Sequence, residues 1–166
     1  MDNRLKFGLL IGLASAVFTL LLYVVGVDDN KGLGMISFLI LFGGLWLGIK
    51  EIRDQEKGGF ITFNDAWKQG FRIILWSSVV TTVFTLIYMG WINPDLMANQ
   101  LDASRIEMEE KGLSSEQIDQ AMSMTAMFTT PWAAAVFAFL GNLFIGMLIA
   151  LIPAAILKKI EPEILA

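Results

Sequence analysis

The chain has 166 residues, of which 55% are apolar and 17% charged, and its mean hydropathy is +0.63; soluble domains usually hold about 45 to 50% apolar and about 25% charged residues. Its 12 basic against 16 acidic side chains argue against nucleic-acid binding, and the lack of any Cys excludes a disulfide scaffold. The lack of His as well removes the commonest metal ligands and the commonest general base.

Charge-free stretches set the expected elements. They run from Phe7 to Val27, Gly32 to Ile49, Ile73 to Pro94 and Gln120 to Leu157. A helix needs roughly 20 predominantly apolar residues to cross about 30 Å of hydrocarbon. The last stretch is longer than one helix requires, and Thr129-Thr130-Pro131-Trp132 marks a start inside it, a hydroxyl N-cap followed by Pro at the first helical position. The sequence therefore predicts an all-α, integral membrane four-helix bundle forming a single domain, with spans over 6–27, 32–50, 70–92 and 131–158. A soluble bundle would show a polar stripe on each helix at 3.6-residue spacing, and these segments are apolar all round. Arg4 and Lys6 ahead of an apolar run, with Ala14-Ser15-Ala16, imitate a secretory signal. The apolar run continues past that point, so an uncleaved first span is expected.

Basic residues set the expected orientation. Arg4, Lys6, Lys50, Arg53, Lys57, Lys68, Arg72, Lys158 and Lys159 flank the spans on one side, against Lys31, Arg105 and Lys111 on the other. The positive-inside rule then makes both termini of a multi-pass protein cytoplasmic. The outer side carries acidic residues from Asp28 and Asp29 to Asp119. Tyr23, Tyr88, Trp91 and Trp132 fall at outer span ends, and Trp46 and Trp76 toward inner ends, as an aromatic belt would.

Small residues mark the expected helix interfaces: Gly8, Gly12 and Ala16 in the first span, Gly44 and Gly48 in the second, and Ala134, Ala138, Asn142, Gly146, Ala150 and Ala154 in the fourth. Lipid gives little hydrophobic drive between helices, so close approach through small side chains holds them together. A bulky residue at Gly146 is expected to disrupt packing. Asn142 predicts an interhelical hydrogen bond, and the hydroxyls from Ser77 to Thr85 predict bonds to their own helix backbone. Pro153 removes a backbone donor and predicts a bend.

Two connecting segments are more than loops. A cytoplasmic amphipathic segment, 51–71, breaks at Gly58-Gly59, and a short helix is expected to start at Thr62, capped with Asp65, and to lead into the third span. Its Phe63, Trp67 and Phe71 suit the headgroup boundary, with Lys68 and Arg72 at lipid phosphates. An extracytoplasmic helical segment, 93–130, is expected to form a hairpin. Asn93-Pro94-Asp95 reads as N-cap and first turn, Gly112 as a C-terminal stop, and Ser114 with Gln117 as a capping box. Met97, Leu101, Met108, Ile118 and Met122 would form its apolar underside.

Met122, Met124 and Met127 could in principle offer thioethers to Cu(I), but their spacing does not place all three on one helical face, and Met is a common filler of irregular apolar gaps. The acidic residues match no Ca²⁺-binding loop. No metal, cofactor or catalytic residue is expected. Val17-Phe18-Thr19-Leu20 with Tyr23 and Gly26 echoes Val83-Phe84-Thr85-Leu86 with Tyr88 and Gly90; a parallel duplication of a two-helix hairpin and chance both account for it.

Gly59-x-Ile61-Thr62-Phe63-x-x-Ala66-x-x-x-Gly70, the Asn93-Pro94 start of a charged outer stretch and the terminal Leu151-Ile152-Pro153-Ala154-Ala155-Ile156-Leu157-Lys158-Lys159 together resemble the bacterial membrane family known as domain of unknown function 4199. The resemblance covers nearly the whole chain and implies a small bacterial four-helix membrane protein, expected as a multi-pass protein of the bacterial cytoplasmic (inner) membrane, with no catalytic residues to carry over. The expected function is a non-enzymatic packing or interaction module whose partners are membrane lipids, a second copy or another membrane protein, and not nucleic acid. A small-solute or ion transporter or channel subunit is the alternative, weakened because coupled transport normally places ionisable residues inside spans. An intramembrane enzyme is the third reading.

Overall fold

The computed structural model describes residues 1–27, 31–126 and 130–161. The protein is all-α and 85% helical, with no strand among the described residues. Its elements are α1 (Asn3–Val25), α2 (Lys31–Glu51), α3 (Phe63–Ile87), α4 (Leu96–Glu110), α5 (Ser115–Ala126) and α6 (Pro131–Leu157), with π-helical turns Ile52–Glu56 and Tyr88–Ile92 extending α2 and α3. Among the described residues, three helices are long and apolar enough to cross a membrane: Asn3–Val25, Phe63–Ile92 and Pro131–Leu157.

The helix ends follow local chemistry. Asp2 caps α1 by accepting a hydrogen bond from the Arg4 backbone N–H at 3.0 Å. Gly26 stops it in the left-handed conformation at φ +72°, with Val27 N–H returning to the Leu22 carbonyl at 3.0 Å. Thr62 Oγ1 accepts from Asp65 N–H at 3.2 Å, so the expected start holds, but the amphipathic turns are the beginning of α3 itself and not a separate helix. Thr130 Oγ1 accepts from Ala133 N–H at 3.3 Å, and Pro131 opens α6 as expected. Thr129 lies outside the described residues.

The fold divides into two compact units, Met1–Thr81 with Phe139–Ala166, and Thr82–Ala138. In the first unit the core is built from Phe7 and Ile11 of α1, Leu41, Leu45 and Ile49 of α2, Ile73 and Ile74 of α3, and Ala150 and Ala154 of α6. Small residues let these helices approach, as the stripes predict. A Cβ added at Gly8 would collide with the Trp76 Cβ and lie 2.8 Å from the Ile73 carbonyl oxygen. One at Gly48 would meet Ile73 Cδ1 at 2.7 Å, and one at Gly70 would meet the Ala150 Cβ at 3.1 Å. One at Gly146 would meet Ile74 Cγ2 at 2.7 Å. The stripe of α6 is not uniformly covered, since Ala138 is exposed while Gly146, Ala150 and Ala154 are buried. Pro153 is fully buried inside an unbroken α6.

The outward faces of these helices are apolar. Leu10, Leu13, Val17 and Leu21 of α1 are each more than half exposed, as are Leu140, Phe144, Leu148 and Ile152 of α6. Burial of apolar surface is the main drive of folding in water, so side chains left outside at this density require an apolar surrounding.

In the second unit, α4 and α5 form the expected helical hairpin. Gly112 turns the chain at φ +76°. Ser114 and Gln117 make the reciprocal capping box, with Ser114 N–H donating to Gln117 Oε1 at 3.0 Å and Gln117 N–H to Ser114 Oγ at 3.4 Å. Ile118 is buried, and Met97, Leu101, Met108 and Met122 are half-buried. The Asn93-Pro94 reading needs correction. Asn93 N–H closes the π-helical turn on the Tyr88 carbonyl at 2.7 Å, and Leu96 N–H donates to the Asn93 carbonyl at 3.2 Å, so Asn93–Asp95 form a turn and α4 begins at Leu96. The same turn corrects Tyr88, which is buried against Phe84 with ring centroids 5.6 Å apart, whereas Trp91 and Trp132 are exposed. The echo between the first and third spans ends differently too, since α1 stops at Gly26 while α3 continues through Gly90 in a π-helical turn.

Candidate functional site

Polar side chains of the first unit gather where α1 begins. The N-cap geometry that starts α1 holds Arg4 beside Gln69, a residue of α3 that lies among Ala66, Ile73 and Gly70 and is 6% exposed. Arg4 Nε donates to Gln69 Oε1 at 2.6 Å, Nη2 to Glu56 Oε2 at 2.7 Å and Nη1 to Asp2 Oδ1 at 2.7 Å. Asn3 Nδ2 donates to Glu56 Oε1 at 3.0 Å. Glu56 is in place because α2 ends in the π-helical turn, a departure from α geometry that re-aims side chains. One guanidinium thus joins the start of α1, the end of α2 and the buried face of α3. The Arg4 hydrogen bonds hold the Asp2 carboxyl below its ordinary range, and the Arg53 guanidinium does the same for Asp54. Depressed carboxylates contribute stability above their ordinary pKa that is lost as pH falls through the lowered value, and the exposure of both groups keeps that contribution small.

The same end is clasped by the C-terminal segment. Ile61 N–H donates to the Lys159 carbonyl at 2.8 Å and Lys159 N–H to the Ile61 carbonyl at 2.9 Å. Arg53 Nη1 donates to the Leu157 carbonyl at 3.3 Å, satisfying an acceptor that a helix end leaves open.

Two grooves open nearby. One, of about 440 Å³, includes Lys6, Lys50, Glu51 and Asp54 in its lining, and the Lys6 ammonium is committed to Glu51 at 2.9 Å. The other, of about 240 Å³, is lined by Trp67, Lys68, Phe71, Arg72 and Met147. Its indole is fixed, because Trp67 Nε1 donates to the Met147 carbonyl at 3.2 Å.

Deeper along α3 and α6, Asn142 Nδ2 donates to Thr81 Oγ1 at 2.8 Å, the interhelical bond its position predicts. The Thr81 hydroxyl lies 3.1 Å from the Ser77 carbonyl oxygen and 3.2 Å from that of Ser78, as hydroxyls on a helix do when they bond backward. Asn142→Leu is expected to lower stability by about 0.6 kcal/mol, and at most about 1.7 kcal/mol, the span measured for such bonds in membranes. Thermal unfolding in mild detergent checks this against Thr81→Val and the double variant. Strictly additive losses would show that the two side chains act separately.

Sequence reasoning identified Lys68, Arg72 and Asn142 but missed the Arg4 cluster. The available signal was Gln69, a long polar side chain between the small and apolar residues Ala66, Gly70 and Ile73 of one helix face. Among the described methionines Met122 is half-buried and Met124 exposed; Met127, Asp28 and Asp29 lie outside the described residues. No curated protein and no solved structure matches the chain. The model of the family described as a protein of unknown function, DUF4199, matches residues 6–159, and the chain belongs to that family.

Proposed function

We propose that this DUF4199 protein is a non-enzymatic packing and interaction module of the bacterial inner membrane. It crosses the bilayer four times with both termini cytoplasmic, α2 serving as the fourth span through its uncharged run Gly32–Ile49. The observation that carries the reading is the pairing of apolar outward faces with polar side chains spent on joining helices. Arg4 engages Gln69, Trp67 the Met147 carbonyl and Asn142 Thr81, while the exposed faces of α1 and α6 present Leu, Val, Phe and Ile to their surroundings. The excess of Lys and Arg near the start of α1, between α2 and α3 and after α6 supports the orientation.

The chain has no Cys, so single introduced thiols report topology cleanly. A membrane-impermeant maleimide is expected to label Gln100→Cys in intact spheroplasts and Asn64→Cys only after lysis, both positions being exposed. The reverse pattern would overturn the orientation, and labelling of both in intact spheroplasts would overturn the four-span crossing. Gentle extraction from native membranes is expected to return the chain with a stoichiometric copy of itself or of a partner protein. Recovery of the chain with a reproducible small solute and no protein partner would displace the proposal in favour of transport.

A further inference from the structure

We infer that the groove between α3 and α6 is a headgroup site for an anionic phospholipid, its phosphodiester held between Lys68 and Arg72. The two cations stand one helical turn apart, on the same face. Both are exposed, and neither forms an ion pair with a described residue. Asp2 senses Arg72 only as the weakest of several influences. Trp67 and Phe71 wall the cavity with Met147, and the hydrogen bond from Trp67 to the Met147 carbonyl fixes the indole, so the groove is formed before any ligand arrives. Successive turns then expose apolar side chains in the direction acyl chains would take, Leu75 and Val79 on α3 and Phe144 and Leu140 on α6. A cationic mouth continuous with an apolar surface suits an amphiphile of opposite charge. Basic pockets between membrane helices bind anionic headgroups on these grounds. A soluble phosphate would leave the apolar part of the groove unused. The inference rests on the membrane reading and not on the orientation.

The test uses the full chain in nanodiscs of phosphatidylcholine containing a minor fraction of phosphatidylglycerol, with retained lipid counted by native mass spectrometry. Preferential retention of phosphatidylglycerol is expected. Lys68→Gln with Arg72→Gln should lower that preference by about 30-fold or more, because each removes a charge-assisted hydrogen bond to the phosphodiester, while Lys158→Gln with Lys159→Gln, which removes equal charge from the exposed C-terminal segment, leaves it within about threefold. Equal loss in the two pairs would reduce the effect to diffuse surface charge and overturn the site. Displacement of the lipid by millimolar inorganic phosphate would overturn the lipid in favour of a free anion, and crosslinking of copies through Lys68 would overturn it in favour of a second chain. A chain that enters nanodiscs and shows no preference removes the site alone. A chain that fails to enter removes the membrane reading beneath it.

Discussion

Gly8→Leu is expected to abolish the folded, monodisperse species, seen as loss of the main peak in detergent gel filtration and of the cooperative melt. The position is crowded by atoms that cannot move aside. A Cβ there collides with the Cβ of Trp76 and would lie 2.8 Å from the Ile73 carbonyl oxygen and 3.1 Å from the Ser77 backbone nitrogen. Overpacking that side chains can absorb costs about 1 to 3 kcal/mol. Here the obstacles are largely backbone and the root of a side chain, so α1 would have to separate from α3, and the loss should exceed about 3 kcal/mol. At Gly146 the three atoms nearest an added Cβ all belong to the Ile74 side chain, so Gly146→Leu should fall within that range. Gly43→Ala, with no atom within 4 Å of the added Cβ, should be neutral. Folding of the Gly8 variant at the wild-type melting temperature would refute close packing of α1 on α3.

That ranking also shows where the fold was legible. In a helix destined for lipid every face is apolar, so periodicity says little about which face meets a neighbour. Residue size carries the signal instead, because small residues permit approach; hence Gly8, Gly12, Gly146 and Ala150 were readable as contacts while exposed Ala138 was not distinguishable from them. Caps at Thr62, Ser114 and Thr130 were readable because they involve residues three apart in the chain. The π-helical turns were not, because no local residue preference demands them. Their consequences went with them: Tyr88 turned inward, Asn93 was spent on closing a turn, and Glu56 was carried to Arg4. Lys68 and Arg72 were recognised as a cationic face, but the groove beside them depends on Met147, nearly 80 residues further along the chain.

The Arg4 cluster yields the second large effect. Arg4→Met should destabilise the protein by about 3 kcal/mol, read as a fall in the thermal midpoint in mild detergent. The Arg4 side chain is 16% exposed and Glu56 32%, so the figure sits at the low end of the roughly 3 to 5 kcal/mol seen when a buried pair loses one member. Most of it arises at Gln69. With the guanidinium gone, Gln69 Oε1 loses a donor at 2.6 Å while staying in a buried position, and an unsatisfied buried acceptor costs about 1 to 3 kcal/mol. Lys6→Met breaks the pair with Glu51, in which Lys6 is 39% exposed, and should cost under about 1 kcal/mol. Adding Gln69→Leu to Arg4→Met removes the orphaned acceptor as well and should restore about half of the loss, because replacing both partners with apolar groups spares the desolvation that replacing one imposes. If the second substitution deepened the loss instead, Gln69 would have to be held by groups other than Arg4. The guanidinium would then be a surface contact, and the joining of α1, α2 and α3 would rest on apolar packing alone.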